Sequence, residues 1–298
     1  MLATVPPILI WAIPFFILAM VIEAMDAARD DADTYADMKD ARTSITMGLG
    51  YLAVVGLFWK AVTLAAMFAV WEVRLFDLGW GWQAWVAVLF LDDFSYYWYH
   101  RLHHEVRILW ASHVVHHSSQ KYNLSTALRQ TWTPYTGLVC WVWLPLFGFH
   151  PFMILTSQSI NLLYQFWIHT ERIDKLHPAF EFVFNTPSHH RVHHGSQSQY
   201  LDRNYGGILI VFDRLFGTFE PEVERVRYGL TKNIATYNPL RVAFHEYGAI
   251  ARDLRTPGLD LRDRLGIVFR GPGWSADRLA TLAPPTPAAP PTPSPDPA

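Results

Sequence analysis

Apolar residues run almost unbroken from Val5 to Ile22, and again over about 45–71, 80–99, 133–149 and 152–168, with polar stretches between them. Each run approaches the roughly 20 residues that a helix needs to cross ~30 Å of hydrocarbon. The pattern therefore predicts an all-α chain, an integral membrane bundle of about five spanning helices. Pro6, Pro7 and Pro14 punctuate the first run, Lys60 interrupts the second, and Asp92 and Asp93 interrupt the third. No basic residue precedes the first run and no small-residue cleavage site follows it, so it is expected to remain as a membrane helix rather than leave as a signal. Between the last two runs, Gly148-Phe149-His150-Pro151 reads as a turn, because Pro151 disfavours helix at the residue before it. Those two runs are expected to form a hairpin.

Parity turns this count into a topology. Five spans place residues 24–44, 100–132 and 169 onward on one side. Arg29, Lys39, Arg42, Arg101, Arg107, Lys121 and Arg129 flank that side, whereas the opposite loops offer Arg74. By the positive-inside tendency that side is cytoplasmic, and a bacterial inner membrane is the expected setting. Residues 195–270 return to a soluble pattern, with an apolar stretch from Gly206 to Phe219 and an amphipathic helix expected over Leu240–Leu254. From Pro284 to Ala298 the chain is Pro, Ala and Thr with little else, a composition that buries no core. The organisation expected is a membrane region over 1–79, a central domain over 80–220, a helical cytoplasmic region over 221–283, and a disordered tail over 284–298.

Composition narrows the function. Hydrophobic residues make up 51% of the 298 positions and charged residues only 17%, against about 25% charged in soluble domains. The formal net charge of −2 and the lack of a dense basic run argue against nucleic acid as a partner. A single cysteine, Cys140, excludes an intrachain disulfide and any thiolate metal box. Metal ligands must then be nitrogen, with oxygen as the other option.

Nitrogen is plentiful on the side where parity places it. Three clusters stand out: His100-Arg-Leu-His103-His104, His113-Val-Val-His116-His117 and His189-His190-Arg-Val-His193-His194. Helical residues three and four apart share a face, so His100/His104, His113/His116/His117 and His190/His193/His194 can each present several imidazoles in one direction. Eight converging imidazoles exceed what one ion can use, and two metal ions are the economical reading. His103 points about 100° away from His104 and is left out. His169, at the end of the fifth span, is a candidate ligand from a separate helix. His189 competes with His190 and is kept as a possible ligand. His150 falls at the opposite membrane face, and His177 and His245 fall outside the clusters, so all three are expected to be structural. Metal-bound histidines usually give their second ring N–H to a carboxylate or carbonyl. Asp92, Asp93, Glu105 and Glu171 are placed for that, with Asp93 two helical turns before His100. Asp93 and Glu105 are the candidate catalytic carboxylates, and for Glu105 three roles stay open: ligand, acceptor of a ligand's proton, or ion-pair partner of Arg101 at i,i+4. Tyr96, Tyr97, Trp98, Tyr99, Trp110, Trp132, Trp141 and Trp143 could line a lipid tunnel or simply form an interfacial aromatic belt.

An all-imidazole site at a membrane surface suits oxygen activation toward an unreactive C–H bond, with iron as the metal. Zinc hydrolysis would leave most of these histidines surplus, and a haem held by two of them would leave the others idle. The order His100-x-x-x-His104, His113-x-x-His116-His117 and His190-x-x-His193-His194 resembles the fatty acid hydroxylase/sterol desaturase superfamily of membrane di-iron enzymes. Within it, Tyr96–Arg101, Tyr122–Gln130, Asn185–Gly195, Tyr200–Gly207 and Phe212–Phe219 are similar to the alkylglycerol monooxygenase subgroup. That resemblance implies that the eight box histidines bind two irons, that Glu105 falls where the subgroup has a functionally important Glu, and that O2 and an external electron donor are used. In the subgroup's animal enzyme the donor is tetrahydrobiopterin and the reaction hydroxylates the ether-bearing carbon of an alkylglycerol. The function expected is hydroxylation of a membrane lipid, whether an ether lipid, a fatty acyl chain or a sterol-like molecule, with reduced pterin or an electron-transfer protein as partner. A desaturase on the same scaffold and a non-catalytic metal or haem carrier are the competing readings.

Overall fold

The computed structural model describes residues 8–29, 35 and 38–282. The Pro-rich tail expected over 284–298, and Val5 to Pro7 at the head of the first apolar run, lie outside the described residues. Among those described the chain is all-helical, with a lone antiparallel bridge between Phe184 and Leu209 in place of any sheet.

Helix α1 (Ile8–Arg29) is the one described helix that is long and apolar enough to cross a membrane. Ile10, Trp11, Phe15, Leu18, Ile22 and Met25 leave its outer face exposed, as expected for a surface that meets lipid. The second apolar run is a rod in which α2 (Met38–Val54) and α3 (Lys60–Glu72) are joined by a π-helical turn over Val55–Trp59. The N–H of Lys60 donates to the carbonyl of Val55, five residues back. The third run is α4 (Trp82–Glu105), which begins after an extended Gly81. A spanning helix does not form over 133–149. The chain there makes a 3-10 segment, Pro134–Cys140, and the single turn α6 (Trp143–Leu146), because Pro134 and Pro145 each remove a backbone donor and Gly137 adds no helix preference. A turn follows, and Pro151 opens α7 (Pro151–Ile168), with the imidazole Nδ1 of His150 accepting the N–H of Phe152 at 3.2 Å.

Beyond α7 the elements are short: α8 (Pro178–Val183), α9 (Pro187–His193) and α10 (Val211–Phe216). The last three are α11 (Pro239–Asp253), α12 (Leu261–Phe269) and α13 (Pro272–Leu282). Asn238 caps α11, matching the amphipathic helix expected there, and Asp260 caps α12 through a reciprocal bond with Asp263.

Two apolar clusters hold this frame. Met67, Val88, Leu144, Phe149, Met153 and Ile154 join α3, α4, α6 and α7 at one end. Met47, Val115, Val242 and Ala243 join α2, α5 (Arg107–His117) and α11 near the other. Buried charge supplements them. Arg129, 2% exposed, donates to the Asp40 carboxylate at 2.5 Å, to the Ser44 hydroxyl at 3.2 Å and to the Ser118 hydroxyl at 3.1 Å. That arrangement ties the 124–129 strap to α2 and to the end of α5.

Candidate metal centre

The centre begins at a joint. Helix α4 ends at Glu105 and α5 starts at Arg107, with Val106 in extended conformation between them. A one-residue joint folds the two helices against each other, so the face of α4 carrying His100 and His104 meets the face of α5 carrying His113 and His117. Arg107 locks the joint: its N–H donates to the Arg270 carbonyl at 2.9 Å, and its guanidinium pairs with Glu246 at 2.7 Å and Asp253 at 2.6 Å. Helix α9 delivers the third set. Pro187 at its first position fixes the start, and two turns suffice to aim His190, His193 and His194 at the same interior.

Nine imidazoles gather in two adjoining groups. His100, His104, His113, His117 and His193 form one, and His116, His169, His190 and His194 form the other; within each, one nitrogen per ring lies within 4.8 Å of all the others. The groups share a wall where the His117 and His194 rings stack, centroids 4.5 Å apart. Trp110 covers His104 and His117, with centroids 5.0 and 5.4 Å away. Tyr122, stacked on Tyr228 at 4.7 Å, covers His169 and His194.

The hydrogen bonding tests whether a metal fits. His169 Nδ1 lies 2.7 Å from the Gln165 carbonyl and His116 Nδ1 lies 3.3 Å from the Arg129 carbonyl. A carbonyl only accepts, so in each neutral ring the proton sits on Nδ1 and Nε2 is a bare lone pair. Those two Nε2 atoms face each other at 3.1 Å. With no proton between them the contact is repulsive, and a cation between the rings makes it attractive. In the five-histidine group His100 and His193 likewise turn Nδ1 to the carbonyls of Tyr205 at 2.8 Å and Arg203 at 2.9 Å, which leaves each a bare Nε2. Their Nε2 atoms then point at His113 at 2.9 Å and His117 at 3.1 Å. Two imidazoles at right angles on one ion, with metal–nitrogen bonds of about 2.1 Å, would set their nitrogens roughly 3.0 Å apart. The Nε2 atoms of His104 and His194 are buried without a hydrogen-bond partner, which fits the same reading. The residues present therefore suit two metal ions.

Burial sets the protonation state. Eight of the nine rings are buried, with His113 half-buried. Desolvation pushes His100, His113, His116, His117, His190, His193 and His194 well below the usual imidazole range, and neighbouring imidazoles add to the shift. Burial takes His169 down to about 4, against a smaller opposing effect of the Gln165 carbonyl. Neutral imidazole is the form that binds metal.

The remaining candidates lie elsewhere. His103 points away from the group, with Nδ1 2.7 Å from the Tyr99 carbonyl and Nε2 2.8 Å from the Thr136 hydroxyl. His189 joins neither group and packs edge-on against Phe219. His150 sits among Phe68, Trp71, Trp80 and Phe152 at the far end of α7, His177 caps α8, and His245 is bonded to the Val242 carbonyl. The carboxylates expected to take ring protons are engaged with other partners. Asp92 accepts from Trp141 at 2.8 Å, and Asp93 from Asn161 at 2.9 Å and from the N–H groups of Ile208 and Leu209, both at 2.8 Å. Glu171 accepts from Tyr228 at 3.1 Å, and Glu105, 43% exposed, pairs with Arg101 at 2.8 Å. Backbone carbonyls take the ring protons instead, and these leave no mark in a sequence. One carboxylate that sequence reasoning passed over, Asp202, lies 3.4 Å from His104 Nδ1. Its signal is the motif Leu201-Asp202-Arg203-Asn204-Tyr205: Asp202 (φ 60°) and Asn204 (φ 56°) are both left-handed, a conformation Asp and Asn tolerate better than most residues.

All nine rings fall within residues 85–218, the stretch that matches the model of the fatty acid hydroxylase family. That stretch is similar to the fatty acid hydroxylase family over 85–218 of the 298 residues. Human alkylglycerol monooxygenase is 44% identical over 278 residues, covering 92% of this chain and 61% of its own length. An ornithine lipid hydroxylase of Rhizobium tropici is 27% identical over 154 residues, 50% of this chain and 46% of its own. Human cholesterol 25-hydroxylase is 27% identical over 143 residues, 44% of this chain and 48% of its own. The chain thus spans about three-fifths of the length of its human alkylglycerol monooxygenase relative. No solved structure matches. The matched stretch takes in α4 from residue 85 and the whole of α5, α7 and α9, which with the C-cap residues His169 and His194 supply the gathered histidines, and it leaves α1 outside.

Proposed function

We propose that this protein is an integral-membrane di-iron monooxygenase that hydroxylates a C–H bond of a membrane lipid. The observation that carries the reading is the opposed pair of bare Nε2 atoms on His116 and His169, which calls for a cation, beside a five-histidine group in which His100 and His193 also turn bare Nε2 atoms inward. An all-nitrogen set of nine imidazoles within a stretch that matches the fatty acid hydroxylase model favours iron. Two bound irons would supply O2 activation. The overall change balances as C–H plus O2 plus two electrons and two protons giving C–OH plus water. The electron pair comes from an external donor, with tetrahydrobiopterin or an electron-transfer protein as the two candidates.

The chain's own contribution is orientation and exclusion of water. Carbonyls of Arg129, Gln165, Arg203 and Tyr205 fix four rings with their bare nitrogens inward. Trp110 and Tyr122 cover the two groups. Alkylglycerol monooxygenases of Homo sapiens, Xenopus tropicalis and Danio rerio are 39–44% identical over 80–92% of the chain, which favours an alkylglycerol-type ether lipid over an acyl or sterol-like substrate. A multi-pass arrangement, with α1 and parts of the α2–α3 rod, α4 and α7 in the bilayer, would place the metal groups at the cytoplasmic surface.

The test is turnover of candidate lipids under 18O2 with the purified protein in nanodiscs. One labelled oxygen in the lipid product is expected. A product two hydrogens lighter and unlabelled would replace this reading with a desaturase, and no lipid product with any donor would leave a metal carrier.

A further inference from the structure

The two histidine groups are held by different parts of the chain. In the five-histidine group, the ring protons of His100 and His193 go to the carbonyls of Tyr205 and Arg203, both on the loop after α9. In the four-histidine group, those of His116 and His169 go to Arg129, on the 124–129 strap, and to Gln165, within α7.

The 203–209 loop has no regular structure of its own, so something must fix its carbonyls. Asp213, fully buried on α10, accepts the N–H of Tyr205 at 2.7 Å through one oxygen and that of Gly206 at 2.8 Å through the other. The Thr218 hydroxyl also donates to it at 2.6 Å, and the Tyr97 hydroxyl lies 3.0 Å from that of Thr218. Arg101 donates to the Tyr97 oxygen at 3.2 Å, and Glu105 pairs with Arg101. A chain of bonds therefore runs Glu105–Arg101–Tyr97–Thr218–Asp213 to the Tyr205 peptide, whose carbonyl holds His100. Glu105 is linked to the centre through this chain. Asp93 grips the next peptides, Ile208 and Leu209, from α4.

We propose that Asp213 is a positioning residue for the five-histidine metal and not for the four-histidine one, and that the two metals can be loosened separately. The proposal rests on the two-metal reading above. A carboxylate accepts from both peptide N–H groups, whereas an amide in its place turns an N–H donor toward one of them. Partners that orient a ligand typically cost 10–100-fold in metal affinity when removed. Reciprocally, Asp40 fixes the Arg129 strap that orients His116, and so serves the other group.

The experiment loads 57Fe into wild type, Asp213→Asn and Asp40→Asn in detergent, with metal counted per chain and Mössbauer spectra taken of each. Thr218→Val, which removes one hydroxyl from Asp213, provides a milder version of the first change if that variant does not fold. Wild type with two irons and two quadrupole doublets is expected. Asp213→Asn should bind iron at one site at least about 10-fold more weakly, with loss or change of one doublet, and Thr218→Val should weaken the same doublet. Asp40→Asn should affect the other. Loss of both doublets in step, loss of the same doublet in the Asp213 and Asp40 variants, or unchanged spectra in all three overturns the positioning role. A wild type that holds a single iron instead overturns the two-metal reading itself.

Discussion

Glu23, on the apolar helix α1, accepts the backbone N–H of Leu124 at 2.8 Å. Leu124 follows Asn123 and Tyr122, and Tyr122 covers the four-histidine group. The same carboxylate accepts from Tyr35 at 2.5 Å and from Thr170, one residue past His169. A carboxylate at 5% exposure in an apolar helix is costly unless it is paired, and here it fastens α1 to both segments that flank one metal group. Glu23→Leu should leave these donors without an acceptor, at a cost of about 2 kcal/mol or more, and Glu23→Gln should cost less. Thermal unfolding in detergent checks this: Glu23→Leu should melt roughly 5 °C or more below wild type, and an unchanged Tm would show that α1 is not anchored in this way.

Adjacent histidines should behave in opposite ways. His104 lies in the five-histidine group, whereas His103 is bonded to Tyr99 and Thr136. His104→Ala should lower turnover by more than about 100-fold and reduce iron content, since even the orienting partners of ligands cost 10–100-fold. His103→Ala and His189→Ala should keep both irons. His150→Ala should retain activity because that ring packs at the far end of α7. Iron analysis and turnover of the four variants decide this, and iron loss from His189→Ala would mean that the ligand set has been drawn wrongly.

Acid should destabilise the metal-free protein in a defined window. The buried imidazoles titrate below the usual 6.5, with His169 and His103 each down to about 4. Below pH 6.5 the unfolded chain takes up protons that the folded one refuses, so stability falls as the pH drops below 6.5, and the share due to His169 and His103 stops falling near 4. Above 6.5 these groups add no pH dependence. Chemical denaturation of the metal-free form at intervals from pH 8 to 4 should show a plateau followed by a fall, and a flat profile would mean that the imidazoles are not held neutral.

Much of the centre is legible in the sequence because helical spacing is a strong signal. His100/His104 and His113/His117 share helix faces wherever α4 and α5 are helical, and one residue between those helices makes the faces meet. His169 has no periodic partner and joins because α7 ends beside α9. His189 and His190 cannot be separated by spacing alone; the choice is made by where Pro187 starts a two-turn helix. Asp93 shows the limit of reading direction from heptads, since its oxygens meet the 208–209 peptides and not His100. Asp213 is invisible for a related reason: it acts through backbone N–H groups, and any residue type supplies those. Hydropathy predicted helix throughout the apolar runs, but over 133–149 two prolines override it.

The central claim is that nine imidazoles hold two irons. Metal analysis of the purified, freshly loaded protein, set against its absorption spectrum, tests this most directly. Two irons per chain without a haem band are expected. One ion or fewer per chain, or a haem band accounting for all the iron, would contradict it.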